Sequence, residues 1–112
     1  MMVNRHRGEV AAKLAGRDWT LCLTLGALAQ LESAFEADNL SDLIARFSGG
    51  KLSAFDMQRI ICAGLHGGGH DVPFEDVAEM RADGGASGYA RIVSALLTAT
   101  FGTEESDSPS NP

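Results

Sequence analysis

His66 and His70 flank Gly67, Gly68 and Gly69. Two imidazoles four residues apart would share one helix face and could hold a divalent metal between them. Three consecutive glycines disfavour such a helix, and no clear third and fourth ligand follows, although Asp71 is adjacent. The segment HGGGHDVP therefore reads as a loop carrying two exposed imidazoles. As a phosphate cradle it lacks the lysine and hydroxyl that follow the glycines of a P-loop, so the glycines read as the means of reversing the chain.

Nucleophilic chemistry has little to stand on. Ser87, in GASG, lacks the G-x-S-x-G spacing that lifts a serine out of a strand-to-helix turn. Cys22 lies in an alternating pattern and Cys62 on the apolar face of a helical one, so both read as small core residues in a reducing compartment. The carboxylate pairs Glu32 with Glu36 and Asp76 with Glu79 fall at helical spacing and read as solvated faces. No catalytic residue, cofactor or metal is expected, and an enzyme is the disfavoured class.

What remains is adhesive surface. Phe47, Phe55, Met57, Phe74 and Met80 are more large or pliable apolar groups than a hairpin and five short helices need, which makes them the candidate partner-binding residues. Each taken singly would also serve as core filler.

The elements that must position these residues follow from two rhythms. Val10, Ala12 and Leu14 alternate with Glu9, Ala11 and Lys13, and Trp19, Leu21, Leu23 and Leu25 alternate with Thr20, Cys22 and Thr24. With AGRD as the turn between them, this predicts a β-hairpin over 9–25. Its edges could accept another strand, and Lys13 and Arg17 discourage random pairing. From 25 onward the period becomes helical. Thr24 and Asn39 are suited to cap the first two helices, and Ser53 with Asp56 forms an acidic variant of the capping box before a third. Pro73 suits the first turn of a short fourth helix, and Tyr89, Ile92, Val93, Leu96, Leu97 and Phe101 define a fifth. The expected fold class is α+β, mostly α: an N-terminal β-hairpin packed on a bundle of about five short helices. Residues 8–102 form the expected globular domain, between a flexible basic leader at 1–7 and a disordered acidic tail at 103–112.

A chain of 112 residues is long enough to bury one core without disulfides or a structural metal. Its formal net charge of -6 is uneven: Arg5, Arg7, Lys13 and Arg17 gather near the start, and the remainder is acidic. Such a body repels a phosphate backbone, so no nucleic acid is expected as a partner. No apolar run reaches the length of a membrane span, and MMVNRHRGEV lacks the apolar centre of a signal peptide, so a cytoplasmic protein without membrane attachment is expected.

The stretches VNRHRGEVAAKLAGRDWTLCLTLGALAQLESAF, LSDLIARFSGGKLSAFDMQRIICAGLHGGG, DVAEMRADGG and IVSALLTATFG resemble, in that order, the small tail protein of alphaproteobacterial gene transfer agents and related siphophages. The resemblance runs from Val3 to Gly102. It implies a product encoded between the major tail protein and the tape-measure protein, and a tail assembly chaperone that binds the tape-measure protein before the tube polymerises. Self-association and contact with the major tail protein accompany that expectation. The alternative it implies is a structural tail component, tube or connector, carried in the virion. A tube subunit closes its ring through long sheets, and one short hairpin offers little of that kind, which favours the chaperone.

Overall fold

The computed structural model describes residues 8–49 and 51–102. The basic leader and the acidic tail of the sequence reading lie outside the described residues. Strands β1 (Glu9–Leu14) and β2 (Arg17–Cys22) form one antiparallel ribbon. Five helices follow: α1 (Leu25–Phe35), α2 (Leu40–Ser48), α3 (Ala54–Gly67), α4 (Phe74–Val77) and α5 (Ala86–Phe101). The α+β, mostly helical class expected from the sequence is the class observed.

The ribbon turns at Ala15 and Gly16, with φ of 55° and 72°. Positive φ at both central residues is the two-residue turn whose twist matches that of paired strands. Leu14 then faces Arg17, and the register continues through Ala12 opposite Trp19 to Glu9 opposite Cys22. Alternation sends Ala12, Leu14 and Leu21 into the core, where each is buried. A two-stranded ribbon is marginal in water, and this one is held by burying that face against α3 and α5.

The second strand is shorter than its alternation implies. It ends at Cys22, because Thr24 takes an extended conformation as the N-cap of α1 and its hydroxyl accepts from the Ala27 backbone N–H at 3.2 Å. Leu23 remains buried in the connection, whereas Leu25, assigned to the apolar strand face by its spacing, begins α1 and is 78% exposed.

Helix α3 is the central element. Ser53 accepts from the Asp56 N–H at 3.1 Å, and the Asp56 carboxylate accepts from the Ser53 N–H at 3.1 Å, which completes a capping box. Asp56 is buried, and its other oxygen lies 3.6 Å from the Arg46 guanidinium, tying α2 to the start of α3. Ser53→Ala removes one half of the box. We expect it to cost about 1 kcal/mol, measured by urea denaturation; an unchanged midpoint would mean that the cap adds nothing.

The far end of α3 departs from the sequence reading. The helix runs through His66 to Gly67, so HGGGH is not wholly loop. A side chain is impossible at two of these glycines. A Cβ at Gly67 would lie 1.8 Å from the Cys22 carbonyl oxygen, and one at Gly68 would lie 1.9 Å from that of Thr20. In a two-residue hairpin, Asp18, Thr20 and Cys22 aim their backbone groups away from β1. The end of α3 thus presses against the outer edge of β2 and covers it, aided by His70, whose Nε2 donates to the Thr20 carbonyl at 3.1 Å. At the opposite edge, the Leu14 end of β1 bridges to Ala82, with the Ala15 N–H donating to the Arg81 carbonyl at 2.8 Å.

Two further boundaries differ. Pro73 is the N-cap of α4 rather than part of its first turn, and α4 stops at Val77, leaving Met80 in the turn beyond. In α2, Leu43 and Phe47 enter the core, while Leu40 and Ile44, which share their helical spacing, stay exposed. Gly64 brings α3 close to both neighbours: a Cβ there would meet Leu96 at 2.9 Å and Leu21 at 3.3 Å. The buried residues, among them Leu21, Leu31, Leu43, Ile60, Leu65 and Leu96, make a hydrophobic cluster shared by the ribbon and the helices.

Candidate functional site

The five partner-binding candidates divide between core and surface. Phe47 is buried, its ring edge-on to Phe35 at 5.3 Å between centroids, and Met80 is buried under the α4 turn. Phe55 and Phe74 come together where the start of α3 meets α4, whereas Met57 lines a neighbouring groove. Phe55 is 55% exposed and meets Phe74 edge to face at 5.4 Å. The Arg59 guanidinium lies over both rings, 4.2 Å from the centre of Phe74 and 5.2 Å from that of Phe55. A cation over aromatic faces holds them at modest desolvation cost. The side chain of Gln58 locks the helices together here, donating to the Phe74 carbonyl at 2.9 Å.

Beside this aromatic platform runs an apolar groove of about 320 Å³ between α3, α4 and α5. Ile61 and Val77 form its buried floor, and Met57 and Tyr89 its half-buried walls. Ala54, Ala78 and Ala86 stand exposed at the rim, where small side chains leave room for a close approach. The Tyr89 hydroxyl donates to the Met80 carbonyl at 2.6 Å, so the ring is fixed. Sequence spacing gives Tyr89 only a place in α5 and does not mark the alanines; the groove exists because three consecutive helices converge.

The histidines occupy separate places. His66 Nε2 lies 2.7 Å from the Val72 carbonyl, which can only accept, so that nitrogen carries the proton and Nδ1 accepts from the Gln30 amide at 3.2 Å. His70 is edge-on to Trp19 at 4.9 Å while it donates to Thr20. Both rings are half-buried and engaged, unlike the two exposed imidazoles expected of a loop. Among the described residues, no group of three or more His, Cys, Asp or Glu could hold a metal.

Cys62 Sγ lies 3.6 Å from His66 Nε2, the nearest approach to a nucleophile and base. Burial pushes the thiol above its ordinary value; Arg59 opposes the rise and Glu75 reinforces it. The sulfur is buried and faces a nitrogen that already donates to Val72. A thiol kept protonated in this way is packing material, not a nucleophile.

No helix among the described residues is long and apolar enough to cross a membrane. The fold and its surface define a small α+β module whose distinctive exposed features are an aromatic platform and an apolar groove, both suited to packing against another macromolecule. The chain belongs to the family of the phage tail tube protein GTA-gp10, whose family model matches residues 7–103. That match supports a gene transfer agent or phage tail protein, and its description is of a tube protein, not a chaperone. No curated protein and no solved structure matches the chain.

Proposed function

We propose that this protein is a structural component of the tail of a gene transfer agent or related phage particle, packing against neighbouring tail subunits through its helical face. The family match over residues 7–103 carries this reading. The geometry supports the manner of attachment. The outer edge of β2 is covered by the end of α3, and the Leu14 end of β1 is bridged to Ala82. The edge of β2 is thereby closed to strand addition and that of β1 is engaged at its Leu14 end, which leaves side chains on the helices as the proposed contacts. The Phe55 and Phe74 platform with its adjoining groove is the surface best suited to them. The major tail protein and the tape-measure protein are the proposed neighbours.

One observation favours a second reading. A two-stranded ribbon does not build a closed wall, and an exposed aromatic platform would also serve a transient assembly chaperone that masks the tape-measure protein until the tube forms. Mass spectrometry of purified particles separates the two. A structural subunit is present in fixed stoichiometry with the major tail protein, and Phe55→Ser reduces its incorporation while leaving its fold intact. Trace amounts in finished particles, together with capture of the tape-measure protein from producing cells, would replace the structural reading with the chaperone.

A further inference from the structure

The alternation that aims Thr20 and Cys22 away from β1 aims the backbone groups of Glu9, Ala11 and Lys13 away from β2. This outer edge of β1 is bounded at both ends. Gly8, with φ of 78°, turns the chain out of the extended conformation, and the Leu14 end is bridged to Ala82. Between these limits Ala11 and Lys13 are exposed, and among the described residues they have no backbone partner on the outer side. A groove of about 500 Å³ runs along the edge, between residues 10–13 and the surface of α5 at Gly88, Arg91, Ile92 and Ala95. An edge of this kind accepts one more strand.

The sequence of that stretch, EVAAK, is its own complement. Turned antiparallel about Ala11, it sets Glu9 opposite Lys13, Val10 opposite Ala12 and Ala11 opposite Ala11. The register satisfies both demands of a ladder. Residues 9, 11 and 13, whose backbone groups face outward, meet one another, and each opposite pair places its side chains on the same face. We propose that the β1 edges of two copies pair in this register, so that two ribbons form one four-stranded antiparallel sheet about a two-fold axis.

Charge complementarity selects a second copy as the occupant. Lys13 lies 3.6 Å from Asp18 in an exposed pair on its own ribbon. In the dimer its ammonium stands between that Asp18 and the second copy's Glu9, and the two-fold axis repeats the arrangement at the other end. Acid, base and acid then succeed one another across the sheet. On the opposite face the second copy's Val10 and Ala12 turn toward Ile92 and Ala95 in the groove. The assembly stops at two copies, because an isologous contact closes on itself and each outer β2 edge is already covered by the end of α3. Contacts with other tail proteins stay with the helices, so the inference goes beyond the tail assignment, and its test reads self-association without particles.

Sedimentation velocity on the full chain provides that test. The unaltered chain forms a dimer with rising concentration and goes no further. E9K or K13E alone sets like charges opposite each other at both ends of the pairing and weakens the dimer roughly tenfold. The double variant E9K/K13E restores it, and so does an equimolar mixture of E9K and K13E, in which lysines on one strand meet glutamates on the other. A11P takes the N–H from the centre of the seam, where the hairpin does not use it, and abolishes the dimer. Circular dichroism checks that the variants fold, and the charge variants carry the test should A11P not fold. A monomer at every concentration overturns the proposal, as does a dimer indifferent to these variants, or a loss in E9K and K13E that neither the double variant nor the mixture repairs. F55S leaves the dimer intact; its loss there would move the contact to the helical face and reject the strand pairing.

Discussion

Gly67→Ala lowers the stability of the fold by about 3 kcal/mol or more, although alanine is ordinarily worth about 1 kcal/mol over glycine within a helix. The sign reverses because the added Cβ would lie 1.8 Å from the Cys22 carbonyl oxygen and 3.2 Å from the Thr24 nitrogen. Both neighbours are backbone, so no flexible side chain can swing aside. Relief requires the end of α3 to move away from β2, which uncovers the strand edge and disturbs Leu21 and Leu65 in the core behind it. Gly49→Ala is the control. Its nearest neighbour would be the Arg46 carbonyl at 3.8 Å, and its φ of -65° suits any residue. That variant is neutral or gains up to about 1 kcal/mol. Urea denaturation of both variants gives the comparison. Equal midpoints would show that α3 and the ribbon are not in such close contact.

Leu21→Ala follows as the second large loss. Leu21 is fully buried between β2 and α3, against the flat surface left by Gly64. Truncation removes buried hydrocarbon and leaves a cavity that a helix held by its neighbours cannot refill. The expected cost is about 2–5 kcal/mol, seen as a fall of roughly 10–20 °C in Tm. Leu25→Ala, four residues on, removes the same atoms from a side chain that is 78% exposed, and its effect stays within about 0.5 kcal/mol. Similar losses at the two positions would contradict the strand boundary at Cys22. A small loss at Leu21 would separate the ribbon from the cooperative core.

These two leucines mark what local sequence can tell. The alternation through Leu21, Leu23 and Leu25 is unbroken, and a period of two carries no marker for where pairing ends. The marker is Thr24, whose hydroxyl caps α1, so a capping signal competes with a strand signal over the same residues. Where signals agreed, the elements were legible: Ser53 with Asp56 starts α3 as its spacing implies, and the apolar face of β1 is the buried one. HGGGH reads as loop because glycine disfavours helix locally. Its real requirement is the approach of Cys22 and Thr20 from more than forty residues away, which periodicity cannot register.

The candidate site was legible in part for the same reason. Phe47 and Phe55 are the same residue type on neighbouring helices, yet one is enclosed against Phe35 and the other stacks on Phe74 in solvent. Residue type singled out both. Only the packing of α3 against α4 distinguishes them, and the groove wall at Tyr89 depends on α5 as well.

Trp19 is the only tryptophan in the chain. Its N–H donates to the Leu14 carbonyl at 2.9 Å, the Arg17 guanidinium lies 4.5 Å from its ring centre, and the edge of His70 closes on it from beyond α3. The indole consequently sits on the seam between ribbon and helical body, with an imidazole quencher held by the other side. Parting of that seam alters the emission of an unlabelled molecule. Fluorescence can then time the opening of one joint while far-ultraviolet dichroism follows the helices.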